Sequence, residues 1–320
     1  MGEFDLIKRY FKRDLAPGAT VDLGIGDDCA ILSARPGTQS LVSCDMLVEG
    51  RHFLSTVAPA RLGHKALAVN LSDLAACGAT PRAFTLALAL PTVDESFLEG
   101  FSQGLFALAD AHGITLIGGD TTAGPLNICI TVIGEVPVGS AMLRSGARAG
   151  DDLYVSGRLG DARLALEAFR GKLNLPGEQF EQVRLAMECP QPRVALGQAL
   201  RGIASSAIDL SDGLIGDLGH LLQASKVGAS LALEALPHSP AMAGQPLAIQ
   251  RECMLAGGDD YELLFSAPQV ARAAVQRVAL ASATPVTRIG SIDQAFGLRL
   301  LDGQGLVLPL TFAGFDHFKS

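Results

Sequence analysis

Residues 60–78 read Ala60-Arg61-Leu62-Gly63-His64-Lys65-Ala66-Leu67-Ala68-Val69-Asn70-Leu71-Ser72-Asp73-Leu74-Ala75-Ala76-Cys77-Gly78. The spacing predicts a long helix stopped at Gly78, with Pro81 just past its end. Asp73 stands inside this Ala- and Leu-rich helix. Working outward, the short apolar segments 20–25, 29–33 and 40–47 precede it as strands, and 82–90 follows as another. Residues 4–11 place Phe4, Ile7, Tyr10 and Phe11 at helical spacing. Thr92-Val93-Asp94-Glu95 fits a capping box, with Thr92 as the cap, opening a helix to about Ala111 that Gly113 stops. Segments 114–118 and 126–136 read as two more strands. Three strands, a helix, a strand, a helix and two strands make a mixed order, not regular βαβ alternation.

Arg144-Ser145-Gly146-Ala147-Arg148-Ala149-Gly150 reads as a junction, and a second half follows. Strands are expected at 152–156, 205–210, 229–235, 261–266 and 285–292. Helices are expected at 161–170, 192–201, 214–225, near 247–256 and at 268–282. A hairpin over 297–310 turns at Asp302-Gly303-Gln304-Gly305. The fold class is α+β, and the chain divides into domains 1–137 and 138–320. Its 320 residues match a prior of about two domains, enough to hide ~70–75% of the unfolded surface.

With 48% apolar residues the chain is not disordered as a whole. It holds 33 acidic against 25 basic residues, a net charge of −8, the wrong sign for a nucleic-acid coat. No uncharged apolar run approaches ~18 residues, so no membrane partner is expected, and the start has no signal-peptide pattern. The six cysteines are scattered without a CxxC pair, which suits reduced thiols in the cytoplasm. A GxxxxGK[ST] loop and GxSxG are missing. Gly24-Ile25-Gly26-Asp27-Asp28 begins like GxGxxG but has no third glycine and puts acids where phosphate would approach.

Six stretches share one local pattern, an apolar strand or helix and then Asp beside Gly or Ser. They are Gly26-Asp27-Asp28, Ser43-Cys44-Asp45, Asn70-Leu71-Ser72-Asp73, Gly118-Gly119-Asp120, Asp209-Leu210-Ser211-Asp212-Gly213 and Gly257-Gly258-Asp259-Asp260. One such Asp is an ordinary turn or cap residue. Six, with few Lys or Arg nearby, need another counter-charge, since stripping water from a lone carboxylate costs several kcal/mol. Oxygen ligands point to a hard divalent cation, Mg²⁺, and a cluster this large points to several ions and a polyphosphate. The EF-hand pattern is absent.

The segments GEFDLIKRYF (2–11), LGIGDDCA (23–30), SCDMLVEGRHF (43–53), HKALAVNLSDLAACGA (64–79), LIGGDTT (116–122), RSGARAGD (144–151), AIDLSDGLIGDLGH (207–220), GGDDYEL (257–263) and GFDHF (314–318) run in this order along nearly the whole chain. In them the sequence resembles the thiamine-monophosphate kinase family, within the aminoimidazole ribonucleotide synthetase-like superfamily. The resemblance implies Mg²⁺-dependent transfer of the ATP γ-phosphoryl to thiamine monophosphate, giving thiamine diphosphate. It implies a two-domain fold of that superfamily. The N-terminal domain would bind ATP and Mg²⁺ and dimerise, and the C-terminal domain would complete the site. It further implies a homodimer whose N-terminal halves build a shared β-barrel. Residues matching metal ligands are Asp28, Ser43, Cys44, Asp45, Asp73, Asp120, Asp209 and Asp212. Those matching ATP contacts are Gly119, Asp120, Arg144 and Ser211, and those matching substrate contacts are His52, Asp259 and Phe315. Cys44 stands where the family typically has Thr, and Asp259 where Glu is common, one methylene longer.

The acceptor in such a reaction is a phosphate monoester with a second pKa of about 6, so it is already largely dianionic at neutral pH. No catalytic base is expected, and direct in-line transfer suffices. Two alternatives stay open on sequence: another ATP-dependent synthetase of the same superfamily, and a non-catalytic Mg-ATP-binding sensor.

Overall fold

The structure is a computed structural model that describes residues 2–13 and 21–309. The chain forms two compact units, Met1–Leu74 with Ala79–Gly139, and Ala75–Gly78 with Ser140–Ser320.

The first unit contains α1 (Glu3–Tyr10), β1 (Val21–Leu23), β2 (Ile31–Leu32), β3 (Thr38–Val48), α2 (Pro59–Ala76), β4 (Thr80–Leu90), α3 (Glu95–His112), β5 (Thr115–Ala123) and β6 (Asn127–Pro137). β1 pairs with β2, and the other strands form an open sheet in the order β3-β6-β4-β5. β6 runs antiparallel to both β3 and β4, whereas β4 and β5 are parallel, with α3 as their crossover. Among the described residues this sheet does not close into a barrel.

The alternation of β6 explains its placement. Ile128, Ile130, Val132 and Val136 are buried, and the residues between them are half-buried. From the helices, Leu67, Leu71, Phe101 and Leu105 are fully buried, each stabilising the unit by roughly 1.5–3 kcal/mol. Two glycines let α2 and α3 touch backbone to backbone. A Cβ on Gly63 would stand 2.0 Å from the Phe101 carbonyl oxygen, and one on Gly104 would stand 1.8 Å from that of Ala60. α3 is not capped by Thr92. Asp94 is the cap, its carboxylate accepting the Ser96 and Phe97 N–H groups at 2.9 and 3.2 Å. Its negative charge also complements the helix N-terminus. Gly113 ends the helix in the left-handed conformation.

The second unit contains β7 (Asp152–Ser156), α4 (Asp161–Phe169), α5 (Gly177–Glu188), α6 (Val194–Leu200), β8 (Ser206–Asp209), α7 (Leu214–Ser225), β9 (Gly228–Ala232), α8 (Pro240–Ala243), α9 (Leu247–Ala256), β10 (Leu263–Ala267), α10 (Arg272–Ala281), β11 (Val286–Asp293), β12 (Gly297–Leu301) and β13 (Val307–Leu308). The sheet order is β13-β12-β9-β11-β7-β10-β8. β12 and β13 form the expected hairpin. Every residue of β7, β8 and β10 is buried, which is why these strands lack polar alternation. One face packs Leu153, Val155, Ile208 and Leu264 into the helix-covered core, and on the other Tyr154 stacks on Phe265 at 5.2 Å. α5 has no counterpart among the expected elements. It is a polar helix that buries only Val183, Met187 and Glu188, the last paired with Arg184 at 3.0 Å. β8 lies beside β10, with Asp209 opposite Leu263, so the segments 209–213 and 257–262 leave the sheet side by side.

No helix among the described residues is long and apolar enough to cross a membrane.

Candidate active site

In the first unit, strand alternation turns Ser43 and Asp45 of β3 toward α2. The Ser43 hydroxyl donates to Asp73 Oδ2. Asn70, one helical turn before Asp73, accepts the Asp45 N–H through Oδ1 at 3.1 Å. Its Nδ2 donates to the Ala66 carbonyl at 3.0 Å, which fixes the amide's orientation. The spacing of Asn70 and Asp73 is thus the i, i+3 contact of one helix face with one strand. Cys44 points to the opposite side of the sheet. Its Sγ lies 3.4 Å from Cys129 Sγ, and the Cys129 thiol is pushed up to about 11 by burial, then by Cys44 and Asp45. The Cys44 thiol therefore does not share the Ser43–Asp45 face.

β5 brings Gly118, Gly119 and Asp120 to the surface through a bulge. Pairing with β4 jumps from Phe84–Leu116 to Thr85–Gly118 and leaves Ile117 extra. Gly119 has φ 147°, and a Cβ there would stand 1.8 Å from the Leu86 carbonyl oxygen, so no side chain fits. Asp120 lines a hollow of about 600 Å³ together with Asp27, Asp28, Phe4, Ile7 and Leu116. Phe4 is 83% exposed, unusual for an aromatic residue on a helix. The amphipathic spacing of α1 by itself points to packing and to no part in the site. That exposure, which periodicity alone does not reveal, is the sign that α1 is a wall of the hollow.

His52 sits in the turn after β3. Its Nδ1 accepts the Val48 N–H at 3.0 Å, so Nε2 carries the proton of the neutral ring and is the donor.

In the second unit, Asp209 ends β8 and is 5% exposed. The turn Ser211-Asp212-Gly213 leads into α7. Asp217, one turn into the helix, accepts the Asp212 and Gly213 N–H groups on one oxygen, both at 3.1 Å. Burial, and then the charge of Asp212, push Asp217 up to about 7, with Arg144 opposing. Arg144 is exposed, and its carbonyl accepts the Ser225 hydroxyl at 2.9 Å.

The GGDDYEL segment divides its acids. Asp259 and Tyr261 have φ 65° and 49°, conformations non-glycine residues rarely adopt. Their N–H groups donate to the Ser211 and Leu210 carbonyls, each at 2.8 Å. Asp260 turns inward, accepting the Gly160 N–H at 2.9 Å, and loss of solvent holds its carboxyl well above the usual carboxylate range. Glu262 pairs with Arg193, whose Nε lies 2.6 Å from Oε2, and accepts the Ser156 hydroxyl. Asp260, one of the acids that the sequence pattern grouped for metal, is therefore a backbone anchor. Phe315 lies outside the described residues.

Residues 26–136 match the AIR synthase related protein N-terminal domain, and residues 148–302 its C-terminal domain. A thiamine-monophosphate kinase of Salmonella typhimurium is 47% identical over 329 residues, covering 100% of this chain and 99% of that protein. The chain belongs to the thiamine-monophosphate kinase family. Within it, the crystal structure of the Stenotrophomonas maltophilia K279a kinase superposes with a TM-score of 0.84 at 44% identity, covering 93% of this chain and 94% of that one. The structure of AaThiL complexed with AMPPCP and TMP superposes at 0.78, with 28% identity and 89% of each chain covered.

The donors of the first unit fit the cation expected for such a kinase. Ser43, Asp45, Asp73, Asp27, Asp28 and Asp120 offer hard oxygens. Among the described residues no three His, Cys, Asp or Glu side chains gather into a ready cage. Mg²⁺ takes one or two carboxylates and completes its shell with water and substrate phosphate.

Proposed function

We propose that this chain transfers the γ-phosphoryl group of ATP to thiamine monophosphate, releasing thiamine diphosphate and ADP. The observation that carries the reading is the strand segment Gly118-Gly119-Asp120, just past the bulge at Ile117 and beside the acidic hollow. There a side-chain-free backbone and hard oxygen donors stand together. Asp28, Ser43, Asp45, Asp73 and Asp120 of the first unit, and Asp209 and Asp212 of the second, hold Mg²⁺, with Cys44 able to add only a main-chain oxygen. When bound, Mg²⁺ screens the two anions from each other and neutralises charge developing on the transferred group.

The chain's own groups do the rest. Gly119 lets phosphate approach the backbone. Arg144 offers its planar fork to the ATP phosphates, and Ser211 its hydroxyl. The apolar wall of the hollow, Phe4, Ile7 and Leu116, suits the nucleoside. His52 donates Nε2–H to the acceptor phosphate, and Asp259 sets a negative charge toward the cationic thiamine ring. No side chain acts as base, because the acceptor is already anionic.

The first unit also supports a homodimer with a shared β-barrel. β3 is an edge strand, and its outer side exposes Val42 (66%), Cys44 and Met46 (53%). Val42→Lys with Met46→Lys is expected to halve the mass measured by light scattering. The six free cysteines suit the cytoplasm.

The test is incubation of the purified chain with ATP, Mg²⁺ and thiamine monophosphate. Thiamine diphosphate and ADP are expected in equal amounts. ADP release without thiamine diphosphate, or binding without turnover, would refute the reading.

A further inference from the structure

Asp217 belongs to the acidic motif of residues 207–220, yet no ligand or substrate role falls to it. It is 3% exposed, buried within the first turn of α7. Gly213, the N-cap of that helix, has no side chain with which to cap it, and its φ is 108°. The turn instead folds back so that two successive N–H groups, of Asp212 and Gly213, converge on a single Asp217 oxygen. A carboxyl oxygen accepting two backbone N–H groups over a helix N-terminus ties that turn to the helix. It acts on the very peptide that carries Asp212. Asp217 also feels the charges of both Asp212 and Arg144, the groups read above as cation and ATP contacts.

We propose that Asp217 is a positioning residue: from beneath the 211–213 turn its oxygen fixes the backbone of Asp212, and so places that carboxylate for the metal–phosphate complex. The proposal rests on the reading of Asp212 as a cation ligand. Outer partners that orient a metal ligand typically affect affinity tenfold or more.

The experiment titrates the full chain with Mn²⁺ in the presence of AMPPCP, reading free Mn²⁺ by its electron paramagnetic resonance signal. Two substitutions separate geometry from charge. Asp217→Asn keeps an oxygen acceptor in place and drops the charge. Asp217→Glu keeps the charge and carries the oxygen one methylene too far. Positioning predicts Mn²⁺ affinity within about twofold of the parent for Asp217→Asn, and about tenfold weaker for Asp217→Glu. Should Asp217→Glu not fold, Asp217→Ala, which removes the acceptor, takes its place with the same expected loss. Weakening by Asp217→Asn would make Asp217 a ligand or an electrostatic element and overturn the proposal. So would parent-like binding by Asp217→Glu, because a merely structural acid shifts the unfolding midpoint and not metal affinity. Asp212→Asn is the control. If it leaves Mn²⁺ binding unchanged, the ligand reading itself fails. If it weakens binding while Asp217→Glu does not, only the positioning role fails.

Discussion

Asp27, Asp28 and Asp120 of the first unit are exposed around one hollow, while in the second unit Asp217 is 3% and Glu262 6% exposed. The short-range sequence is alike in both places, an Asp beside Gly or Ser at the end of an apolar run. What differs is the partner. In the first unit Asp73 takes a serine hydroxyl. In the second, Asp217 and Asp260 take backbone N–H groups, and Glu262 takes arginine. A buried acid that satisfies peptide donors is part of the scaffold, whereas Asp27, which accepts the Asp28 N–H at 2.8 Å, stays exposed and lines the hollow.

Substitutions in the first unit test that contrast most severely. Asp45→Asn and Asp120→Asn are each expected to lower kcat by at least about a hundredfold, since even outer partners of a metal site cost 10–100-fold. Asp120 is exposed, so its unfolding free energy is expected to move by no more than about 0.5 kcal/mol. Steady-state kinetics and urea unfolding on the same preparations decide it. A variant that keeps full activity would place the first unit's acids with the scaffold as well. Gly119→Ala comes next. Its Cβ would collide with the Leu86 carbonyl, and overpacking with backbone strain predicts a loss of about 1–3 kcal/mol in unfolding free energy together with weaker ATP binding.

A pH series sharpens the second-unit side of the comparison. The folded value of Asp217, about 7, lies above the unfolded Asp value of about 3.9. Between these limits the native state keeps a proton that the unfolded chain has released. The contribution to stability is therefore full below about pH 4 and falls as pH rises toward about 7, by at most about 1.4 kcal/mol per unit. Urea unfolding in a chelator is expected to show the parent losing stability over this window more steeply than Asp217→Asn. Equal slopes would mean that Asp217 is ionised throughout and is not a buried, near-neutral acid.

Much of this arrangement is legible from local pattern. α2 follows from apolar spacing with Gly78 and Pro81 beyond it, and the facing of Ser43 and Asp45 follows from strand alternation. Patterns that depend on burial are not legible in the same way. The apolar residues α5 buries are Val183 and Met187, with Phe180 packed on Phe169, too few to stand out among Glu, Gln and Arg. Thr92 and Asp94 both lie where a cap can stand, and the choice falls to the residue whose carboxylate reaches two N–H groups. The site divides along the same line. Asp120 and Gly119 announce themselves by sequence, whereas the Glu262–Arg193 pair spans 69 positions and the Asp260–Gly160 bond 100. Only the folded sheet brings such partners together, so the sequence cannot separate anchoring acids from liganding ones.

The smallest expected effect is also the most discriminating. Asp260 stands next to Asp259, a proposed substrate contact, and shares its motif. Its carboxyl is held well above the ordinary range by loss of solvent, with Glu262, Asp161 and Asp259 adding like charge. A carboxyl whose charged form is disfavoured by burial loses little when it becomes an amide, and the Asn oxygen can still accept the Gly160 N–H. Asp260→Asn is therefore expected to leave kcat and both KM values within about twofold and to raise the unfolding free energy at neutral pH, where the native acid is disfavoured. Asp259→Asn, one residue away, is expected to raise the KM for thiamine monophosphate while leaving that for ATP unchanged. Steady-state kinetics with each substrate varied in turn separates the two neighbours. If Asp260→Asn abolished turnover as Asp120→Asn is expected to do, hydrogen bonding to a peptide N–H would not mark an acid as scaffold, and the distinction between the two units would have to rest on exposure alone.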